Sequence, residues 1–363
     1  MPSLGYVETQ RVVLASEHDP LVLPGGTLHH LDVAFETYGE LNAARDNAIV
    51  VCHALTGDAH AAGLHLGAKR RGWWDNLIGP GKPLDTDRFF VVSANLLGGC
   101  QGTTGPASAD PATGRAYGLR FPLLEMRDLV QVHRRLLRHL GIARLHAAVG
   151  GSLGGMQVLQ WALDQPEEIG RAVIVAASSR LTAENIAFST VARHAILEDP
   201  GFRDGDYLAA GTFPSHGMKF ARMMAHITYV APPALDRKFG HRRDTAGEER
   251  RMGADFAVEH YLQHQGEQFL ERFDPLSYLY LSRVMDYFDP FADPPAAADL
   301  PPSLLVSFDS DWRFSTAHSL AIRDHLAARG ADVVHHEVAS PWGHDSFLLE
   351  PPGYHELVAG FLA

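Results

Sequence analysis

The segment Val149-Gly150-Gly151-Ser152-Leu153-Gly154-Gly155-Met156 sets the terms for the rest of the chain. An apolar run, residues 145–149, precedes it and reads as a buried strand. A helix-like segment, residues 156–163, follows and is closed by Pro166. Gly150-x-Ser152-x-Gly154 at a strand-to-helix junction is a nucleophile-elbow pattern. A turn that tight leaves no room for side chains beside the serine, which accounts for the flanking glycines. The hydroxyl then stands at the end of a sheet, over a helix N-terminus that favours negative charge. The plainer alternative is a glycine-rich turn with an incidental serine. A working site needs the rest of the chain to supply a base, an orienting acid and oxyanion donors.

The strands around that turn can be read from the apolar pattern. Residues 31–38 alternate (Leu31, Val33, Phe35 against Asp32, Glu36), as an edge or half-buried strand does. Residues 48–52 are continuously apolar, as in a strand buried on both faces, and a loop His53-Ala54-Leu55-Thr56-Gly57-Asp58 follows. Residues 89–95 give a third strand, which runs into the glycine-rich loop 98–106. Leu129, Val132, Leu136 and Leu140 mark one face of a helix ending near Gly141, and residues 172–177 form another strand. Strands alternating with helices imply a parallel sheet covered on both faces.

Past Ala177 the rhythm changes. Residues 180–290 hold helical segments and charged loops such as Arg242-Arg243-Asp244, then a proline- and alanine-rich linker over 293–302. Strand pattern resumes at 304–308 and at Val333-Val334. The helix between them is capped by Ser315 or Thr316 and stopped at Gly330. The expectation is an α/β core built from 1–179 and 297–363, with a helical lid and linker inserted at 180–296.

Composition narrows the function. A chain of 363 residues with 46% hydrophobic and 20% charged residues suits a globular enzyme. A net charge of −12 argues against nucleic acid as a partner. No apolar run approaches the ~20 residues of a membrane span, and the first residues lack a signal-peptide pattern, so a cytoplasmic location is expected. Cys52 and Cys100 give no disulfide framework, and Cys100 lacks the elbow a nucleophile needs. His29-His30 and His335-His336 lack ligand spacing, so no metal is expected.

The remaining site residues follow from position. On a fold with this elbow, the α/β-hydrolase type, the acid and then the histidine come at the ends of later strands. Strand 304–308 ends in Asp309-Ser310-Asp311-Trp312, and the last strand leads into Gly343-His344-Asp345. Asp311 is preferred over Asp309 because it lies further into the loop, and His344 is the candidate base. Leu153, after the serine, and Leu55, in the loop after an early buried strand, are the candidate oxyanion donors through their N–H groups.

Several longer motifs carry a resemblance. Residues 47–57, Gly72-Trp73-Trp74-Asp75 with Gly79-Pro80-Gly81-Lys82-Pro83, Gly98-Gly99-Cys100 with Gly105-Pro106, the elbow, and Gly343-His344-Asp345 together resemble the homoserine O-acyltransferase family. The likeness spans nearly the whole chain. It implies an α/β-hydrolase fold, a mostly parallel sheet flanked by helices with a helical lid. It also implies acyl transfer from a coenzyme A thioester to the hydroxyl of L-homoserine, early in methionine synthesis. Ser152 becomes the nucleophile, Asp311 the acid and His344 the base. Arg222 matches the binder of the homoserine carboxylate, and Asp345 the residue facing its ammonium. The resemblance further implies a homodimer, and no cofactor beyond the acyl-CoA substrate. Acetyl-CoA users in the family tend to carry an aliphatic residue where Arg313 stands, so Asp311-Trp312-Arg313-Phe314 resembles the branch that uses succinyl-CoA. An acetyl donor, a serine acceptor and an esterase on the same fold are the alternatives.

Overall fold

The computed structural model describes residues 4–244, 252–293 and 299–363. Eight strands form one sheet: β1 (Gln10–Ala15), β2 (Leu31–Tyr38), β3 (Ala48–Cys52), β4 (Phe90–Ala94), β5 (Ala147–Gly151), β6 (Ala172–Val175), β7 (Ser303–Phe308) and β8 (Val333–Val338). Their spatial order is β1-β2-β4-β3-β5-β6-β7-β8. β1 pairs antiparallel with β2 and β2 with β4, while every later pair of neighbours is parallel.

The longer helices are α1 (Met126–His139), α2 (Leu153–Asp164), α3 (Ala183–Leu197), α4 (Ser215–Tyr229), α5 (Pro232–Phe239), α6 (Ala257–Leu270), α7 (Pro275–Asp286), α8 (Thr316–Ala328) and α9 (Tyr354–Leu362). Strands β3, β5, β6 and β7 are buried along their whole length, which is why they are rich in apolar and small residues. Alternate residues feed two apolar layers. Ala148, Ile174 and Leu305 pack with α1, α2 and α8, whereas Val149, Val175 and Phe308 pack with Trp74 and α9. The parallel strands therefore all end on one side, where the loops carrying the candidate site emerge.

Between β6 and β7 the chain leaves the sheet. Helix α4 packs on both α3 and α6, and α3 also meets α7, so the described part of the insertion is a helical layer. The expected core boundary at 296/297, and half of the linker, lie outside the described residues. No described helix is long and apolar enough to cross a membrane.

Two readings from sequence need correction. Residues 31–38 are not an edge strand: β2 lies between β1 and β4 and is mostly buried. Its polar member Glu36 tolerates burial because Thr9, Tyr38, His60 and His65 all reach its carboxylate. The elbow strand also runs later than residues 145–149. Gly150 and Gly151 belong to β5, and α2 begins at Leu153 rather than Met156, so the turn is reduced to Ser152 alone.

Candidate active site

Ser152 joins β5 to α2 at φ 58° and ψ −124°, a backbone conformation that side chains other than glycine's rarely adopt. The neighbours explain the glycines around it. A Cβ at Gly150 would lie 2.3 Å from the Gly154 carbonyl, and one at Gly154 would lie 1.9 Å from the Cys52 carbonyl oxygen. Helix α2 can therefore enter directly against β3 and β5 only with glycine at both positions. The Ser152 N–H is held by the Val175 carbonyl at 3.0 Å.

The structure brings Ser152, His344 and Asp311 into one buried chain. Ser152 Oγ lies 2.9 Å from His344 Nε2, and His344 Nδ1 lies 2.7 Å from Asp311 Oδ2. With Nδ1–H donating to the carboxylate, Nε2 is left to accept the serine proton. The other oxygen of Asp311 accepts the N–H groups of Arg313 (3.0 Å) and Phe314 (2.9 Å), which aims the carboxylate at the histidine. Asp309 turns elsewhere. It accepts the Ser340 N–H at 2.8 Å and so ties the loop after β7 to the loop after β8. Ser310, Ser340 and Ser346 extend that tie: Ser310 Oγ accepts the Gly343 N–H, Ser346 Oγ donates to the Gly343 carbonyl, and the hydroxyls of Ser340 and Ser346 meet at 2.7 Å. Phe314, Phe347 and Tyr229 surround the His344 ring, with centroids 5.1, 5.4 and 5.9 Å away.

The N–H groups of Leu55 and Leu153 have no acceptor among the described residues. The loop bearing Leu55 is braced from behind. Gly57 N–H and His53 Nδ1–H both donate to the Ala54 carbonyl, at 2.9 and 2.7 Å. His53 Nε2 accepts the Leu96 N–H at 3.2 Å. Arg272, between α6 and α7, donates to the Thr56 carbonyl at 2.9 Å and so links the helical insertion to this loop. A hydroxyl, a base with its acid and two free amides are the groups needed to form an acyl ester and break it again.

Arg222, on α4, lies half-buried with its guanidinium 5.1 Å from the Phe269 ring centroid. It shares an electrostatic neighbourhood with Asp345. Burial pushes the Asp345 carboxyl up to about 6, while His344 and Arg222 draw it down and Asp311 adds to the rise. Neither forms an ion pair within 4.0 Å among the described residues. Arg313 is 7% exposed, lines a narrow cleft with Leu55, Thr228 and Tyr229, and donates to Thr228 Oγ1 at 2.9 Å. No carboxylate lies within 4.0 Å of it among the described residues.

Burial pushes both thiols up, Cys52 to about 12 and Cys100 to about 11, so neither is a thiolate at neutral pH. Sequence reading passed over one group of possible metal ligands, Glu36, His60 and His65, whose donor atoms lie within 4.8 Å of one another. The two Glu36 oxygens already receive donors from Thr9, Tyr38, His60 and His65, which leaves the carboxylate satisfied by protein groups. It also passed over the aromatic cage of His344 and the serine ties between the two loops. These contacts join residues far apart in the chain and leave no local pattern.

The sheet order, the elbow and the buried serine–histidine–aspartate chain define an α/β-hydrolase-fold protein. A family model described as "alpha/beta hydrolase fold" matches residues 47–351. The chain is 66% identical to a homoserine O-succinyltransferase of Nocardioides sp. over 365 residues, 99% of each protein. It is 48% identical to a homoserine O-acetyltransferase of Rhodospirillum rubrum over 369 residues, 100% of this chain and 94% of the other. The crystal structure of a homoserine O-acetyltransferase from Bacillus anthracis superposes with a TM-score of 0.90 at 26% identity, covering 98% of each chain. The chain belongs to the homoserine O-acyltransferase family.

Proposed function

We propose that this protein moves a succinyl group from succinyl-CoA to the hydroxyl of L-homoserine through a succinyl-Ser152 intermediate. His344 Nε2 takes the Ser152 proton as Oγ attacks the thioester carbonyl. The resulting oxyanion is held by the N–H groups of Leu55 and Leu153. Collapse expels the CoA thiolate, which leaves with the proton that His344 carried. The homoserine hydroxyl then gives its proton to the same nitrogen and attacks the acyl carbonyl. O-Succinyl-L-homoserine departs and the proton returns to Ser152. Asp311 holds His344 in the required tautomer and offsets its positive charge in both halves.

The acyltransferase reading is supported by the family, and the homoserine acceptor by the names of its members. Arg222 and Asp345 suit a zwitterion: a guanidinium without an ion-pair partner among the described residues for the carboxylate, and a nearby carboxyl for the ammonium. An esterase, with water as acceptor, has no use for that pair.

The single observation that carries the donor is Arg313. It is a nearly buried cation that faces a cleft beside Leu55 without an acidic partner among the described residues. An acetyl group offers it nothing, whereas the free carboxylate of a succinyl group supplies the missing charge. The acetyl donor remains the second reading, because a 48% identical relative bears that name.

The test is a two-donor, two-acceptor assay with product mass determined. Succinyl-CoA and acetyl-CoA are each offered with homoserine and with serine, and the expected main product is O-succinylhomoserine. Incubation with succinyl-CoA alone should add one succinyl mass to a peptide containing Ser152. A product carrying acetyl in preference overturns the donor, and a label on Cys52 or Cys100 overturns the nucleophile.

A further inference from the structure

Beneath the two free amides lies a buried polar group that the reaction steps do not use. Gln157 is one turn past Leu153 on α2 and is 0% exposed. Its Nε2 donates twice, to the Leu153 carbonyl at 3.2 Å and to the His53 carbonyl at 3.3 Å. Its Oε1 faces His133 Nε2 at 2.9 Å. Burial draws His133 down to about 4, so the ring is neutral at physiological pH and has one N–H to give. His133 Nδ1 has no partner among the described residues, which places that N–H on Nε2, donating to Gln157. A flipped carboxamide would set its oxygen against two carbonyls, so the amide orientation is fixed from both ends.

The two carbonyls belong to separate stretches of chain. Leu153 opens the elbow helix, and His53 begins the loop that presents Leu55 two residues later. One side-chain amide therefore spans the segments that carry the two unpaired N–H groups. An oxyanion hole works only if its donors are already spaced for the charge that develops, since reorganising them during the reaction consumes the benefit.

We infer that Gln157 is a positioning residue for the oxyanion hole, setting the separation of the Leu55 and Leu153 N–H groups by clamping their two segments together. This rests on reading those amides as the hole, and it is independent of which acyl donor or acceptor is used. A purely structural filler at this place would lower thermal stability and leave turnover of the folded enzyme unchanged.

The test uses p-nitrophenyl acetate, an ester that needs Ser152 and the hole but neither CoA nor homoserine, with Ser152→Ala as the blank. kcat and KM are measured for the full-length wild type, Gln157→Met and Gln157→Glu, well below each variant's Tm. Gln157→Met keeps the length and bulk and removes both donors. Losing one oxyanion donor outright costs about 10²–10³ in kcat, so displacing donors should cost roughly ten- to a hundredfold, with KM little changed. Gln157→Glu adds a signature: a protonated carboxyl can still donate to one carbonyl, a carboxylate to neither. Its deficit relative to wild type should therefore widen as pH rises. A folded Gln157→Met with wild-type kcat overturns the inference. If that variant does not fold, a Gln157→Glu deficit that is the same at every pH overturns it instead. A wild type that cleaves the ester yet transfers nothing to homoserine overturns the substrate reading alone, and the Gln157 comparison still decides.

Discussion

Asp311 Oδ2 and His344 Nδ1 lie 2.7 Å apart, on the opposite side of the imidazole from Ser152 Oγ. Position in the loop favours Asp311 as the candidate acid only weakly, because Asp309 stands two residues away. The geometry separates them. Asp311 receives two backbone N–H groups on one oxygen and the histidine on the other, whereas Asp309 receives the Ser340 N–H.

Asp311→Asn should leave the fold intact and cut turnover by about 10⁴, because an amide can stabilise the wrong histidine tautomer. Asp309→Asn keeps an oxygen for Ser340 and should cost less than about tenfold. Steady-state kinetics on both variants, with circular dichroism as a fold control, decide the matter. Equal losses would mean that loop alignment rather than the tautomer limits the rate.

The proposed acceptor pocket should titrate. Burial first of all pushes the Asp345 carboxyl up to about 6. If this carboxylate faces the substrate ammonium, the homoserine KM should rise as pH falls through about 6 while the acyl-CoA KM stays flat. In Asp345→Asn the homoserine KM should be uniformly high and lose this pH dependence. The stability sign is opposite. The folded state holds this proton more tightly than the unfolded chain, so stability falls as pH rises from about 4 through 6. Asp345→Asn should therefore raise Tm more at pH 7 than at pH 4, as calorimetry can show.

Arg222→Lys keeps the charge but loses the planar fork that a carboxylate accepts in two places. Homoserine KM should rise roughly tenfold, and acylation of Ser152 by the donor alone should hold, as read by mass spectrometry. A matching loss in the acylation step would move Arg222 from the acceptor to the donor half of the reaction.

Much of this was legible because parallel strands in the interior of a sheet must be apolar on both faces. The runs at 48–52, 172–177 and 304–308 mark β3, β6 and β7 closely, and the glycines of the elbow answer a steric need that sequence displays. Strand β1 escaped notice. At the sheet edge, Gln10, Arg11 and Val13 face solvent, and only the short apolar stretch Val12-Val13-Leu14-Ala15 remains to mark the strand. Glu36 made β2 look half-exposed, since its four donors come from residues 9, 38, 60 and 65 and only the folded chain assembles them. Gln157 was hidden differently. Nearly every residue of α2 is buried, so no polar face exists against which one polar residue could stand out.

The proposed donor choice turns on Arg313, whose loop is fixed by Asp311 beneath it and by Asn185, which donates to the Arg313 carbonyl at 2.9 Å. Its guanidinium lies 5.5 Å from the Tyr229 centroid and 5.7 Å from that of Phe314, and the residue lines the cleft. If the guanidinium meets the distal carboxylate of a succinyl group, Arg313→Leu removes an attraction that only this donor enjoys. A charge-assisted hydrogen bond is worth about 1.5–3 kcal/mol, which at about 1.4 kcal/mol per factor of ten is roughly ten- to a hundredfold in kcat/KM. Acetyl-CoA should hold its rate, or gain as an unpaired buried charge disappears. The quantity to measure is the succinyl-to-acetyl ratio of kcat/KM at saturating homoserine, wild type against Arg313→Leu. A fall confined to succinyl-CoA assigns Arg313 to the acyl tail. A fall shared by both donors assigns it to the loop that carries Asp311, since both donors depend equally on that carboxylate.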